Sequence, residues 1–82
     1  MERLLRLPEV KATTGIASTT GIYDRINEGL FPKQVRCGTR SVAWVQSEVQ
    51  AYLAYRVAGK SDAELKCMIS RLHAKRIEGV TL

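Results

Sequence analysis

Residues 20–40 constrain the fold more than any other part of the chain, because they combine a short helix, a helix stop and an extended return. Ile22 and Ile26 lie about one turn apart and would share the buried face of the helix. Gly29 can end the helix, and Leu30 and Phe31 return apolar surface to a core. The proline that follows prevents a helical continuation, so the chain has to leave in an extended conformation.

The extended part is predicted to form a basic hairpin. Residues 34–37 and 41–44 are two short runs that suit β-strands, and residues 38–40 connect them with a glycine. We expect the inward or cross-strand side chains to be Val35, Cys37, Val42 and Trp44. Residues 33–40 hold three cations and no anion. A helix with a polar outer face beside such a hairpin is the layout of a winged helix-turn-helix, which predicts a small DNA-binding module.

The segment before this helix predicts a first helix and a turn. Residues 4–5 can pair or pack as a short extended piece, and a helix is expected from Leu7 to about Thr14 with a proline in its first turn. Gly15 can adopt the left-handed conformation that ends it. The second helix should span about residues 20–28, with one of the three preceding hydroxyls, Ser18, Thr19 or Thr20, as its N-cap.

Two further helices are predicted after the hairpin, each from a capping box. The first box is Ser47–Gln50, and its helix should end at Gly59. Its apolar stripe, at positions i, i+3, i+4 and i+8, is expected to lie in the core and consists of Val49, Tyr52, Leu53 and Val57. The second box is Ser61–Glu64, and its helix should run from residue 62 to about 78.

The stripe of the last helix has two interpretations that the sequence leaves open. Its members are Leu65, Met68, Ile69 and Leu72. An amphipathic helix buries its apolar face against whatever surface is available, so the stripe either covers the core of this domain or pairs two copies of the chain. A third function for the same stripe, docking on a partner protein as an adaptor, is the alternative from another class.

Length and charge narrow the functional classes. The chain has 82 residues, which is enough for one domain, and its 45% apolar fraction predicts that most of it folds. Thirteen basic and eight acidic side chains give a net charge of +5, which favours polyanionic partners. We therefore expect a mainly α fold with a small β-hairpin: a winged helix-turn-helix at residues 1–59 and an added C-terminal helix at residues 60–82.

The candidate DNA contacts fall into two groups. One group is the outer face and N-terminal turn of the second helix, and the other is the cationic hairpin. Hydroxyl, amide and carboxylate groups can contact base edges, and cations can contact phosphates. The alternative for both groups is a solvated surface. The predicted residues are Ser18, Thr19, Thr20, Tyr23, Asp24, Asn27, Lys33, Arg36, Thr39 and Arg40.

Catalytic and metal chemistry find little support. Cys37 and Cys67 lack metal-ligand spacing and are expected to be free thiols in a reducing cytoplasm. His73 is the sole histidine and is interpreted as a surface residue, because no nucleophile motif accompanies it. No cofactor, no enzymatic activity and no membrane-spanning segment are expected, which predicts a cytoplasmic protein.

Six short motifs carry a resemblance to a known family: Leu7–Val10, Thr14–Ile16, Ile22–Ile26, Gly29–Lys33, Gly38–Arg40 and Trp44–Val49. Through them, residues 5–58 resemble the AlpA family of prophage regulators and the related small phage excisionases. The resemblance implies a MerR-like winged helix-turn-helix whose second helix enters the major groove while the wing contacts the adjacent backbone.

Two departures from the family limit what is carried over. The family usually has Gly-Leu-Ser-Arg-Ser-Thr-Ile-Tyr at the turn, whereas the turn at residues 15–23 is one residue longer and lacks the arginine. The base contacts are therefore not transferred, and neither is a role for the last helix. The expected function is a sequence-specific transcriptional regulator of a prophage or integrated mobile element. The alternative is an excisionase that bends attachment-site DNA for an integrase.

Overall fold

The computed structural model describes residues 3–38 and 41–78. This part of the chain is mostly helical with a small three-stranded antiparallel sheet, a winged helix-turn-helix fold, as predicted. Its elements in chain order are β1 (Leu4–Leu5), α1 (Leu7–Thr14), α2 (Thr19–Asn27), β2 (Val35–Arg36), β3 (Val42–Val45), α3 (Gln46–Val57) and α4 (Asp62–Glu78).

The sheet has the order β1-β3-β2, so β3 is the central strand and is paired on both sides. Leu5 of β1 lies opposite Trp44, and Arg36 of β2 lies opposite Val42. The short N-terminal segment thus pairs as a strand, one of the two possibilities that the sequence indicated. The hairpin of β2 and β3 is the wing.

Local hydrogen bonds and one glycine set where α1 begins and ends and where α2 begins. The Glu9 carboxylate accepts a hydrogen bond from the Arg6 backbone N–H at 3.3 Å, at the start of α1. Gly15 has a φ of +76°, which a residue with a side chain rarely adopts, and this lets α1 stop as predicted. The Ser18 hydroxyl accepts from the Gly21 N–H at 2.9 Å, so Ser18 is the cap and α2 begins at Thr19, one residue earlier than predicted.

The inward positions of the wing were partly mispredicted. Cys37 is exposed, although the alternation of residues placed it inward. The reason is that β2 ends at Arg36, so Cys37 already belongs to the connection, where its N–H donates to the Ser41 carbonyl at 3.0 Å. In β3 both Ala43 and Trp44 are fully buried, because the central strand is covered on both of its faces.

Two predictions about α3 are wrong. Strand β3 runs directly into α3, whose N-cap position is Val45, so Ser47 already lies within the first turn and caps nothing. The first-turn N–H of Gln46 donates instead to the Arg3 carbonyl at 2.8 Å. Val57 is 89% exposed rather than buried, although Tyr55 in the same turn packs partly buried against the core. Tyr52 is buried, as predicted.

Of the second predicted capping box, the N-cap forms: Ser61 caps α4, while the Glu64 carboxylate accepts from the Ser61 hydroxyl and not from its backbone N–H. The Ser61 hydroxyl accepts from the Glu64 N–H and donates to the Glu64 carboxylate, both at 3.3 Å. Helix α4 then places three members of its stripe in the core of the same chain, with Leu72 packed partly buried against it. The pairing of two copies, or of a partner, through this stripe stays a prediction.

The core draws on every region of the described chain. It is centred on the Phe31 and Trp44 rings, both fully buried, and the Phe31 and Tyr52 rings meet edge to face at 4.7 Å between centroids. Its buried members are Leu5, Val10, Ile22, Leu30, Phe31, Trp44, Val49, Tyr52, Leu65, Met68 and Ile69.

Candidate nucleic-acid interface

Helix α2 presents a polar outer face. Thr20, Asp24 and Asn27 are exposed, while Ile22 on the opposite side is fully buried. This division follows from the 3.6-residue period of the helix. The face carries hydroxyl, carboxylate and amide groups, which can donate to and accept from base edges.

Tyr23 does not belong to this outer face, contrary to the sequence prediction. Its side chain is partly buried against the core, and its ring lies 6.2 Å from the Trp44 ring at an angle of 60°. The contact joins the flank of α2 to β3. Strand β3 in turn pairs with β2, the strand of the wing that carries the exposed Arg36.

The N-terminal turn of α2 adjoins a groove that the sequence did not reveal. The groove lies between the α1–α2 turn and α3, and two arginines, Arg25 and Arg56, contribute to its wall. Arg25 donates to the Gly21 carbonyl at 2.9 Å, which is its partner here rather than Asp24. Of the predicted residues at this end, Ser18 is engaged as the helix cap and Thr19 is half-buried.

The root of the wing is fixed by its backbone. The Lys33 N–H donates to His73 Nε2 at 3.0 Å, and the Lys33 carbonyl accepts from Arg76 Nη2 at 2.5 Å. The preceding carbonyl, of Pro32, accepts from the Trp44 indole N–H at 3.1 Å. The Lys33 side chain remains exposed. The cationic Lys33 side chain therefore extends into solvent from a backbone segment that is held by hydrogen bonds to the side chains of His73, Arg76 and Trp44.

Arg76 also closes a buried ion pair with α3. Its Nε and Nη2 atoms donate to the two oxygens of Glu48 at 2.8 and 2.5 Å, and Glu48 is only 4% exposed. Sequence analysis missed this pair, because 28 residues separate its members and no local pattern joins them. One signal was present: Glu48 lies one turn before Tyr52, which puts a carboxylate on the core side of α3.

His73 has a structural partner, which corrects its interpretation as a surface residue. It is partly buried on α4, and burial, followed by the nearby Arg76 guanidinium, lowers the pKa of its imidazole from the ordinary 6.5. Both effects disfavour the protonated ring. A neutral imidazole is what the contact with Lys33 requires, because Nε2 has to accept there.

The remaining candidates divide by position. Thr39 and Arg40, at the tip of the wing, lie outside the described residues. Cys37 and Cys67 are exposed free thiols, as predicted for their oxidation state. Within the described ranges, no group of three or more histidine, cysteine or acidic side chains is arranged to hold a metal ion. None of the described helices is long and apolar enough to cross a bilayer.

Comparison with known proteins shows which family the chain is similar to. The family described as "Prophage CP4-57 regulatory protein (AlpA)" matches residues 3–57. The chain belongs to the AlpA family. The family resemblance predicted from the motifs is thereby confirmed, and the matched range holds α2 and the wing but not α4.

Two relatives extend this result. The chain is 49% identical over 59 residues to "Uncharacterized protein ORF88" of Enterobacteria phage P4; the match covers 72% of the chain and 66% of the phage protein, just under two thirds of its length. It is 40% identical over 60 residues to "DNA-binding transcriptional activator AlpA" of Escherichia coli (strain K12), covering 66% of the chain and 84% of that relative. No solved structure matches the chain significantly.

Proposed function

We propose that this AlpA-family protein binds double-stranded DNA sequence-specifically and regulates transcription from a prophage or another integrated element in the cytoplasm. It does so without catalysis. The observation that carries the proposal is the contact of Tyr23, on the flank of α2, with Trp44 of β3, the strand that pairs with β2 of the cationic wing. The relative of known activity, an activator named as DNA-binding, supports the same class of function.

The two surfaces divide the work of recognition. The exposed residues of α2 and its C-cap include Asp24 and Glu28 but no cation, so this helix is poorly suited to contact phosphates. Asn27 can pair with the edge of an adenine, and Asp24 can accept from a cytosine amino group. Phosphate contacts fall to Lys33 and Arg36, which gain counterion release on binding. In this arrangement the helix specifies the sequence and the wing supplies the affinity.

A gel-shift titration tests the proposal. The probes are DNA fragments from upstream of the encoding gene and from the attachment region of its element, at moderate salt with competitor DNA. The wild type should give discrete shifts. Lys33→Ala/Arg36→Ala should weaken binding to specific and competitor DNA alike, and should lower the slope of log K against log salt by about 2, one per lost phosphate contact.

Two further variants separate specificity from affinity. Asn27→Ala should reduce the preference for the specific fragment while binding to competitor DNA stays as it was, because it removes a base contact and no charge. Lys60→Ala is the matched control for the wing, since Lys60 is a cation at the α3–α4 connection that pairs with Glu64 at 3.6 Å. It should behave as the wild type.

The same titration distinguishes regulation from excision. A single complex on a promoter fragment indicates a regulator, whereas a ladder of complexes on the attachment fragment, with bent DNA, indicates the excisionase alternative and an integrase partner. If the wild type shifts no fragment, the DNA-binding proposal is wrong.

A further inference from the structure

We propose that His73 and Arg76 of α4 are positioning residues for DNA binding: they hold the Lys33 backbone and thereby aim the Lys33 side chain and the wing that follows it. The inference rests on the proposed DNA-binding function. It assigns a role in that function to a helix that lies outside the range matched by the family.

The geometry is that of a clamp on a single residue. His73 and Arg76 are three residues apart on α4, so their side chains emerge from one face of the helix. One accepts from the Lys33 N–H and the other donates to the Lys33 carbonyl, so both polar backbone groups of Lys33 are held by α4. A residue held at both groups has little freedom to rotate its peptide planes, and the direction in which its Cα–Cβ bond leaves the backbone is set accordingly.

The clamp is itself anchored to α3. Glu48, buried on α3, accepts two hydrogen bonds from the same Arg76 guanidinium that binds Lys33. The Trp44 indole holds the preceding carbonyl, of Pro32. Two residues after Lys33 the chain enters β2, where Val35 pairs with β3. The wing therefore starts from a point that is tied to α3, α4 and the central strand.

The clamp requires one protonation state of His73. A protonated imidazole carries hydrogen on both nitrogens and cannot accept from the Lys33 N–H. The charged groups that face His73 are Arg76 on α4, Glu48 on α3 and Lys33 before β2. Burial and Arg76 together lower its pKa, which keeps the ring neutral and able to accept near neutral pH.

The test combines substitution at both ends of the clamp. Binding to the DNA fragment that the wild type shifts in the gel titration is measured by fluorescence anisotropy at several salt concentrations. The proteins compared are the wild type, His73→Leu, Lys33→Ala and the double variant. His73→Leu should lower the magnitude of the salt slope by about 1, as Lys33→Ala does, because a misdirected Lys33 no longer contacts its phosphate. In the Lys33→Ala background, His73→Leu should have little further effect.

A second variant and a pH series separate positioning from general destabilisation. His73→Gln retains an acceptor near the position of Nε2 and does not titrate, so it should bind DNA as the wild type does at pH 7.5. Between pH 7.5 and pH 5 the wild type should lose affinity relative to His73→Gln. The added charge of a protonated histidine would by itself raise the affinity for DNA, so a relative loss reports the broken hydrogen bond.

The outcomes are distinct. If the wild type binds no DNA, both proposals are wrong. If the wild type binds and Lys33→Ala lowers its salt slope, but folded His73→Leu keeps the wild-type slope, the positioning inference alone is wrong. Equal effects of His73→Leu in both backgrounds would also overturn it, as would a wild type and His73→Gln that respond identically to pH.

Discussion

The range matched by the family, residues 3–57, and the helix beyond it, α4, differ in what is known of them but not in how they are built into the fold. The matched range carries α2 and the wing. Helix α4 contributes Leu65, Met68 and Ile69 to the same core and holds the root of the wing. Sequence similarity therefore ends before the packed unit does, and a boundary drawn from similarity alone would remove part of the support for the proposed interface.

The contacts within the matched range also differ from those that join it to α4. Within the matched range, β1 and β2 pair with β3, and the Phe31 and Tyr52 rings meet in the core. Between the regions, the contacts consist of an apolar stripe and several polar contacts. Arg76 joins Glu48 to the Lys33 carbonyl, His73 accepts from the Lys33 N–H, and Arg56 pairs with Asp62 at 3.7 Å. Burial of the apolar stripe drives α4 to pack on the core, but apolar contacts are not directional. Hydrogen bonds are directional, so the polar contacts set the position of α4 along its axis relative to the wing.

The largest expected effect tests whether α4 belongs to the folded unit. Leu65 is 1% exposed, so Leu65→Ala should lower the free energy of unfolding by about 4 kcal/mol through lost burial and a residual cavity. Val57→Ala is the control inside the matched range, because Val57 is 89% exposed and its loss should change stability by less than about 0.5 kcal/mol. Urea unfolding measures both.

If Leu65→Ala lowers stability as little as Val57→Ala does, α4 is not part of the same folded unit as residues 3–57. It would then be an appendage to an independently stable domain. An unchanged denaturant m value is needed for this conclusion, since m reports the surface exposed on unfolding.

The next effect concerns the contact of Arg76 with Glu48. Arg76→Met leaves Glu48 buried without its charged partner and should cost about 1.5–3 kcal/mol, the range for hydrogen bonds to charged groups. The double variant Glu48→Met/Arg76→Met should recover much of this loss, because it removes the unpaired carboxylate as well. Thermal and urea unfolding of the two variants provide the comparison; a double variant less stable than Arg76→Met would contradict it.

The smallest effect distinguishes two capping boxes of similar sequence. Ser61→Ala removes the hydroxyl that accepts from the Glu64 N–H at the start of α4 and should cost about 1 kcal/mol. Ser47→Ala, in the box that does not form, should change stability by less than about 0.5 kcal/mol. Equal losses in the two variants would mean that Ser47 caps α3 in solution.

The elements that local chemistry controls were predictable. The two glycines at the ends of α1 and α2, Gly15 and Gly29, both adopt the left-handed conformation expected of them. The N-cap at Ser61 and the return of Leu30 and Phe31 to the core also follow from short-range patterns. Each of these predictions depends on residues within one or two turns of each other, and nothing distant overrides them.

The errors arose where a distant element decided the outcome. Ser47 does not cap α3, because β3 continues into the helix and the Arg3 carbonyl satisfies its first turn. Tyr23 leaves the outer face of α2 because the Trp44 ring lies beside it. In each case the deciding group is more than 20 residues away in sequence, and no pattern within the segment contains it.

The sequence by itself determined the order of the helices, the stops between them, the cationic wing and the membership of the AlpA family, because these depend on local conformational preferences and on motifs. Only the tertiary structure decided that His73 accepts from the Lys33 backbone and that Arg76 bridges Glu48 to the same residue. The physical reason is that these bonds join groups 28 to 43 residues apart, which become neighbours only after the core has packed.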